Sequence, residues 1–284
     1  MMLSRVVCPS VKNQPQPLFV IYRWLSASSS SGVPNEATAV VAGGTCVGAS
    51  TALHLAQRGF ANVVLIEPEL PPSSWPGLVT RYDSNVRLRR IKKLSANIYN
   101  SLSSLQLKAV GSLRIGRGPE RLDEFKFHGS RDWLDCERAY QVLTNDQINQ
   151  LNPSLKLDSS ASGLYTKQDG WLESGDLHQA LIAEAEKAGV CVVTGAVVER
   201  VKPRASSRGW TVTFGGRSLD TMHFINAAGL GARDVSGLSN VDLAIEHVAH
   251  VYGLLRTPKP QPQLASAPVL HNLDDSYLAC FNSQ

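Results

Sequence analysis

Cysteine is sparse in this chain. Its five, Cys8, Cys46, Cys136, Cys191 and Cys280, are odd in number, widely scattered and nowhere spaced as CxxC. This argues against a disulfide framework and a thiolate zinc site and fits a reducing compartment. Net charge is also small: 28 Lys and Arg stand against 24 Asp and Glu, a formal +4 in 284 residues. Several of those cations fall in the first 23 residues, so the remaining body is close to neutral and carries no nucleic-acid footprint. The N-terminal apolar piece PLFVIYRWL is too short to span a bilayer, and no membrane span is expected.

Acid is absent until Glu36, while Arg5, Lys12, Arg23 and the run SASSSSG precede it. That is the composition of a mitochondrial transit peptide, and Arg23, three residues before Ser26, suits matrix-peptidase cleavage near Leu25. A disordered tail without an address is the alternative. Residues 1–36 are therefore read as presequence and linker, and folded structure is expected from ATAVVA onward. With 43% hydrophobic and 18% charged residues, the rest has the make-up of a globular protein with a sizeable core.

The pattern then alternates. An apolar run Thr38 to Ala42, a helical segment Val47 to Gln57 and the run NVVLIE ending at Glu67 make one βαβ unit. Between Val86 and Leu105, apolar residues at Leu88, Ile91, Leu94, Ile98, Leu102 and Leu105 alternate with Arg87, Arg89, Arg90, Lys92 and Lys93. This spacing predicts an amphipathic helix with a solvated basic face. SLRIG reads as a strand, Pro119 opens a helix, and TNDQINQLNP reads as a short capped helix. Ser174 is expected to cap a helix over 175–187, after which VCVVTGAVVERV, GWTVTF and DTMHFINAAG read as strands. HVAHVYGLLRT is expected to begin a separate antiparallel layer. The whole predicts an α/β fold with the second half of a doubly wound sheet.

GGTCVG, Gly43 to Gly48, joins the first strand to the first helix, and Glu67 ends the second strand 24 positions after Gly43. In a dinucleotide fold the first glycine makes the tight turn, a second lets backbone approach the pyrophosphate, and a third allows close helix packing. An acid at the end of the second strand holds the ribose hydroxyls. Gly43, Gly48 and Glu67 suit the first, third and last roles. The pyrophosphate would sit at the helix entrance at Cys46 and Val47. Thr45 stands where the middle glycine is expected, with Gly44 beside it; its hydroxyl could donate to a phosphate or its side chain could fill the pocket. Cys46 reads as a packing residue rather than a redox thiol.

The run AVVAGGTCVGASTALHLAQRGFANVVLIEPEL, followed in order by SSW, GLVTRY, GSLRIGRGPERLDEFK and FINAAGLGAR, resembles the mitochondrial dimethylglycine and sarcosine dehydrogenase branch of the D-amino-acid-oxidase-like flavoproteins. The resemblance covers about residues 38–257. It implies FAD rather than NAD, and a Rossmann-like FAD-binding domain of the glutathione-reductase type interleaved with an antiparallel-sheet substrate domain. The FAD-binding parts would be about 37–110 and 172–235, the substrate parts about 111–171 and 236–284. It further implies oxidation beside the nitrogen of an N-methylated glycine or related amine in the mitochondrial matrix, with an electron-transfer flavoprotein as a possible acceptor.

By the same resemblance, Gly43, Gly48 and Glu67 would hold the ADP half of FAD. Val198 would offer backbone to the adenine, and Ala227, Ala228 and Gly229 would close over the pyrophosphate. His250 and Tyr252, in HVY, would face the substrate. Where the branch reads approximately STWHAAGL, with a histidine bonded to flavin, this chain reads SSWPGL, Ser73 to Leu78. Covalent attachment there is excluded, so FAD would be noncovalent. The branch's last FAD-contacting segments and its folate domain find no counterpart before Gln284, which implies a fold incomplete at its C-terminus. A non-catalytic regulatory or binding protein on the same fold is the competing reading; the regulatory subunit of pyruvate dehydrogenase phosphatase is the family precedent. NAD binding by a lone Rossmann unit is a third.

Overall fold

A computed structural model describes residues 32–68, 76–83, 85–130, 140–205, 208–246, 248, 266–274 and 277–279. Residues 1–31, Trp75, His250 and Tyr252, and nearly all of HVAHVYGLLRT lie outside them. In chain order the elements are β1 (Glu36–Ala42), α1 (Cys46–Gln57), β2 (Val63–Glu67), β3 (Pro76–Val79), α2 (Val86–Ser101), β4 (Ser112–Arg117) and α3 (Pro119–Ser130). Next come β5 (Tyr140–Thr144), α4 (Asn145–Leu151), β6 (Ala161–Thr166), β7 (Gly170–Glu173), α5 (Ser174–Lys187) and β8 (Cys191–Thr194). The chain continues through β9 (Val198–Pro203), β10 (Trp210–Phe214), β11 (Arg217–Asn226), α6 (Ala232–Gly237), β12 (Val269–Asn272) and β13 (Tyr277–Ala279).

The larger sheet has six strands in the order β8-β2-β1-β11-β10-β9. Its first four run parallel, and β9, β10 and β11 form an antiparallel meander that continues the sheet. β1 is central, and Ala39, Val40 and Val41 are fully buried, which is why it reads as a continuous apolar run rather than an alternation. On one face Val41 and Leu65 pack with Ala49, Ala52 and Leu53 of α1 and with Leu181 and Ala185 of α5. On the other, Val40, Val64 and Ile66 meet Val201, Val212, Phe214 and Leu219.

The second sheet has five strands in the order β13-β12-β4-β6-β5. It is antiparallel except that β12 runs parallel to β4. Phe125 of α3 and Ile148 of α4 are fully buried in its cores. A two-stranded ribbon of β3 and β7 leads from this sheet into α5.

Two local expectations are corrected. α2 ends at Ser101, and its facing departs from the predicted one in its first half: Leu88, Ile91 and Leu94 are 48%, 59% and 61% exposed and Arg89 is buried, whereas Arg87 and Arg90 are exposed and Leu102 is buried as expected. Arg89 Nε donates to the Asp83 carbonyl at 2.9 Å, and its guanidinium lies 5.9 Å from the centre of the Tyr82 ring. Lys92 pairs with Asp83 at 2.8 Å. These polar contacts hold the first half of the inward face, while Ala96 and Tyr99 pack with the α1–α5 core. Ser174 is not the cap of α5; it is the first helical residue, because β7 runs straight into the helix through Glu173, which makes no side-chain capping bond. Thr144, by contrast, caps α4 in a full capping box with Gln147.

Candidate cofactor-binding site

The C-terminal ends of β1, β2 and β11 meet at the glycine loop. Gly43 has φ +108°, and a Cβ there would stand 2.3 Å from the Ala227 carbonyl oxygen. Only glycine fits both the backbone and the space. Two backbone bonds fix the loop: the Gly43 N–H donates to the Ile66 carbonyl at 2.8 Å, and the Ala227 N–H donates to the Ala42 carbonyl at 2.8 Å. At Gly48 a Cβ would fall 1.6 Å from the Gly43 carbonyl oxygen, so the first turn of α1 lies directly on the loop.

Gly44 makes a different approach. A Cβ there would stand 1.9 Å from Oε2 and 2.1 Å from Cβ of Glu67, so the glutamate side chain lies flat on this residue. Thr45 is the N-cap of α1 with φ −60° and ψ 172°, an extended conformation open to any residue. Its carbonyl accepts from the Ala49 N–H at 2.9 Å, but its hydroxyl makes no capping bond, and the first turn of α1 carries no acid. A helix entrance left in this state favours an anion. Val47 is 68% exposed there. Cys46 packs against the α1–α5 core, and burial pushes its thiol above the usual range, which agrees with a packing role.

Glu67 is 7% exposed, and its Oε2 finds no hydrogen-bond partner among the described residues. Burial, with Glu186 adding repulsion, pushes its carboxyl up to about 7. His178 of α5 approaches it, Nε2 to Oε2, at 3.4 Å, and the His178 ring also lies against the Gly44 backbone. Burial lowers the imidazole below its usual range. A buried acceptor in this state calls for a donor such as a diol hydroxyl.

Ala227, Ala228 and Gly229 form the turn after β11, and Gly229, with φ +57°, begins a single 3-10 turn. Asn226 pins it: the Ala228 N–H donates to Asn226 Oδ1 at 3.2 Å, and Asn226 Nδ2 donates to the Ala232 carbonyl at 2.7 Å. Val198, buried at the start of β9, is brought near through Ala196, whose N–H donates to the Glu67 carbonyl at 3.2 Å. The structure thus gathers Gly43, Gly44, Thr45, Cys46, Val47, Gly48, Glu67, Val198, Ala227, Ala228 and Gly229 at one end of the parallel sheet. His178 and Asn226 join them without having been expected; a histidine within a helix and an asparagine ending a strand carry no motif of their own.

Residues 38–282 match the family described as DAO, FAD dependent oxidoreductase. The chain belongs to this family. FAD is the cofactor of DAO proteins, and the α/β fold is theirs. Dimethylglycine dehydrogenase, mitochondrial, from Rattus norvegicus is 34% identical over 253 residues, 86% of this chain and 29% of the rat protein. The pyruvate dehydrogenase phosphatase regulatory subunit, mitochondrial, from Mus musculus is 25% identical over 271 residues, 88% of this chain and 30% of the mouse protein. This member of the DAO family therefore spans about three-tenths of the length of these curated relatives. Among solved structures, L-proline dehydrogenase from P. horikoshii superposes with a TM-score of 0.72 at 16% identity, covering 88% of this chain and 68% of that one, a likeness of fold.

Proposed function

We propose that this chain is an FAD-dependent amine oxidoreductase of the mitochondrial matrix, acting on an N-methylated glycine or a related secondary or tertiary amine. The observation that carries the cofactor assignment is Glu67, a buried carboxyl with an unmet acceptor oxygen lying on a glycine that has no room for a side chain. That geometry fits the ribose diol of FAD, whose hydroxyls are donors. Gly43 and Gly48 let the backbone turn, and the free N–H groups at the entrance of α1 receive the pyrophosphate. The Thr45 hydroxyl, unused as a cap, is available to the same phosphates. Val198 offers backbone toward the adenine, and Ala227, Ala228 and Gly229 close the site with side chains too small to obstruct it. Bound FAD would supply the acceptor for hydride from the carbon beside the amine nitrogen.

The substrate assignment rests on the dimethylglycine dehydrogenase relatives. In this reading the FAD-binding parts span about 37–110 and 172–235 and the substrate parts about 111–171 and 236–284. His250 and Tyr252 hold the amino-acid carboxylate or take the amine proton before oxidation. The mitochondrial address rests on the N-terminal composition and on the mitochondrial names of these relatives. An electron-transfer flavoprotein is the proposed acceptor.

Purified protein titrated with FAD, then supplied with dimethylglycine or sarcosine and an artificial electron acceptor, tests both levels. Flavin absorbance retained through gel filtration together with turnover is expected. Retained flavin without turnover on any amine would favour a non-catalytic role, the reading that similarity to the phosphatase regulatory subunit supports. Absence of bound flavin would overturn the cofactor assignment.

A further inference from the structure

Three elements distant in sequence converge on one carboxyl: the loop after β1 through Gly44, the end of β2 through Glu67, and the start of α5 through His178. The glutamate has little freedom on its loop side, because its Cβ and carboxyl already rest on the Gly44 backbone. On the other side its Oε2 faces His178 Nε2 at 3.4 Å, the far ring nitrogen of a side chain that is itself 28% exposed. Neither Glu67 Oε2 nor His178 Nδ1 completes a hydrogen bond among the described residues. Two adjacent buried polar groups with unmet hydrogen-bonding capacity form an incomplete network, and such a network is finished by a ligand that carries both donors and acceptors.

We propose that His178 is a positioning residue for the cofactor: it sets the Glu67 carboxyl against Gly44 in the orientation that accepts from the ribose diol at the adenosine end of FAD. The inference rests on the FAD reading given above. A neutral imidazole can donate from one nitrogen and accept at the other. With Nε2–H toward Glu67, it limits carboxyl rotation and leaves the other carboxylate lone pairs directed at the diol. An apolar residue in its place leaves Glu67 in the pocket but free to turn away. The α5 backbone needs no histidine for its own stability there, since Leu177, Ala180, Leu181 and Ala185 carry its packing.

The test is FAD affinity of the apo-protein, read by quenching of flavin fluorescence, for wild type, His178→Leu, His178→Gln, Glu67→Ala and the double variant Glu67→Ala/His178→Leu. His178→Leu should weaken FAD binding about tenfold, and His178→Gln, whose amide also donates, should recover most of that loss. The double variant should bind no more weakly than Glu67→Ala alone, since a residue that acts through Glu67 has nothing left to position. FAD bound equally by wild type and His178→Leu, or losses that add in the double variant, would overturn the role of His178 while leaving the cofactor reading intact. Failure of wild type itself to bind FAD would overturn both. If His178→Leu does not fold, comparison of His178→Gln with His178→Glu decides: a donor at this position should keep the affinity and a second carboxylate should abolish it, and equal affinities would refute the proposal.

Discussion

Replacing Glu67 by glutamine should stabilise the FAD-free protein, and by an amount that grows with pH. The carboxyl is 7% exposed and is pushed from the usual 4.5 to about 7, first by burial and then by Glu186. Between those two values the folded chain holds a proton that the unfolded chain has released, so stability falls as pH rises through this window. Below about pH 4.5 both states are protonated and the carboxyl costs nothing on this account. Above pH 7 the full difference applies, roughly 3 kcal/mol from the size of the shift. Glutamine keeps the shape and does not titrate. For a domain of this size roughly 3 kcal/mol corresponds to about 6–12 °C in melting temperature. His178, whose imidazole is lowered by burial, loses stability in the opposite direction as pH falls, but it does so in both proteins and largely cancels in their difference. Thermal melts followed by circular dichroism at pH 5, 6, 7 and 8 give that difference directly. A gap between Glu67→Gln and wild type that stays constant with pH would refute the reasoning, since a mere packing effect has no such slope. Saturating FAD should narrow the gap at pH 8, because the diol then supplies the carboxylate with donors.

Gly48→Ala places a methyl group 1.6 Å from the Gly43 carbonyl oxygen, and the loop must open to admit it; FAD affinity in a fluorescence titration should fall by at least about tenfold, the scale of one lost close contact in the site. Thr45→Gly should weaken FAD binding about tenfold, because it removes the hydroxyl offered to the phosphates and the unstrained threonine backbone gains nothing from glycine. A tenfold gain would show instead that the threonine side chain stands in the pyrophosphate's place. Asp169→Ala, which removes the acceptor oxygens altogether, should destabilise the protein by roughly 3–5 kcal/mol in chemical denaturation. Asp169 is fully buried, accepts from the Arg81 N–H at 2.9 Å and from Ser112 Oγ at 2.6 Å, and lies near the buried Arg81 and Arg114 guanidinium groups.

Much of the candidate site was legible because its signals are local. The loop GGTCVG, the helix after it and the acid at the end of NVVLIE follow one another in a single βαβ unit, and each residue there is fixed mainly by its own strand, turn or helix. The turn Ala227 to Gly229 was legible only through the family resemblance, because its reason is the Gly43 loop packed against it. What failed was the inference from periodicity to facing. The spacing of α2 identifies a helix, yet it cannot say which stripe turns inward when Asp83, Tyr82 and His128 offer polar and aromatic partners to Arg89.

Sequence alone therefore determined the βαβ unit, the glycine loop and the position of Glu67, since strand and helix periods and the steric needs of glycine act over a few residues. The tertiary structure decided that β12 runs parallel to β4, that Arg89 rather than Leu88 is buried, and that His178 comes to lie against Glu67. These depend on which distant segments pack together. No local pattern in α5 records the carboxyl that the end of β2 places opposite its histidine.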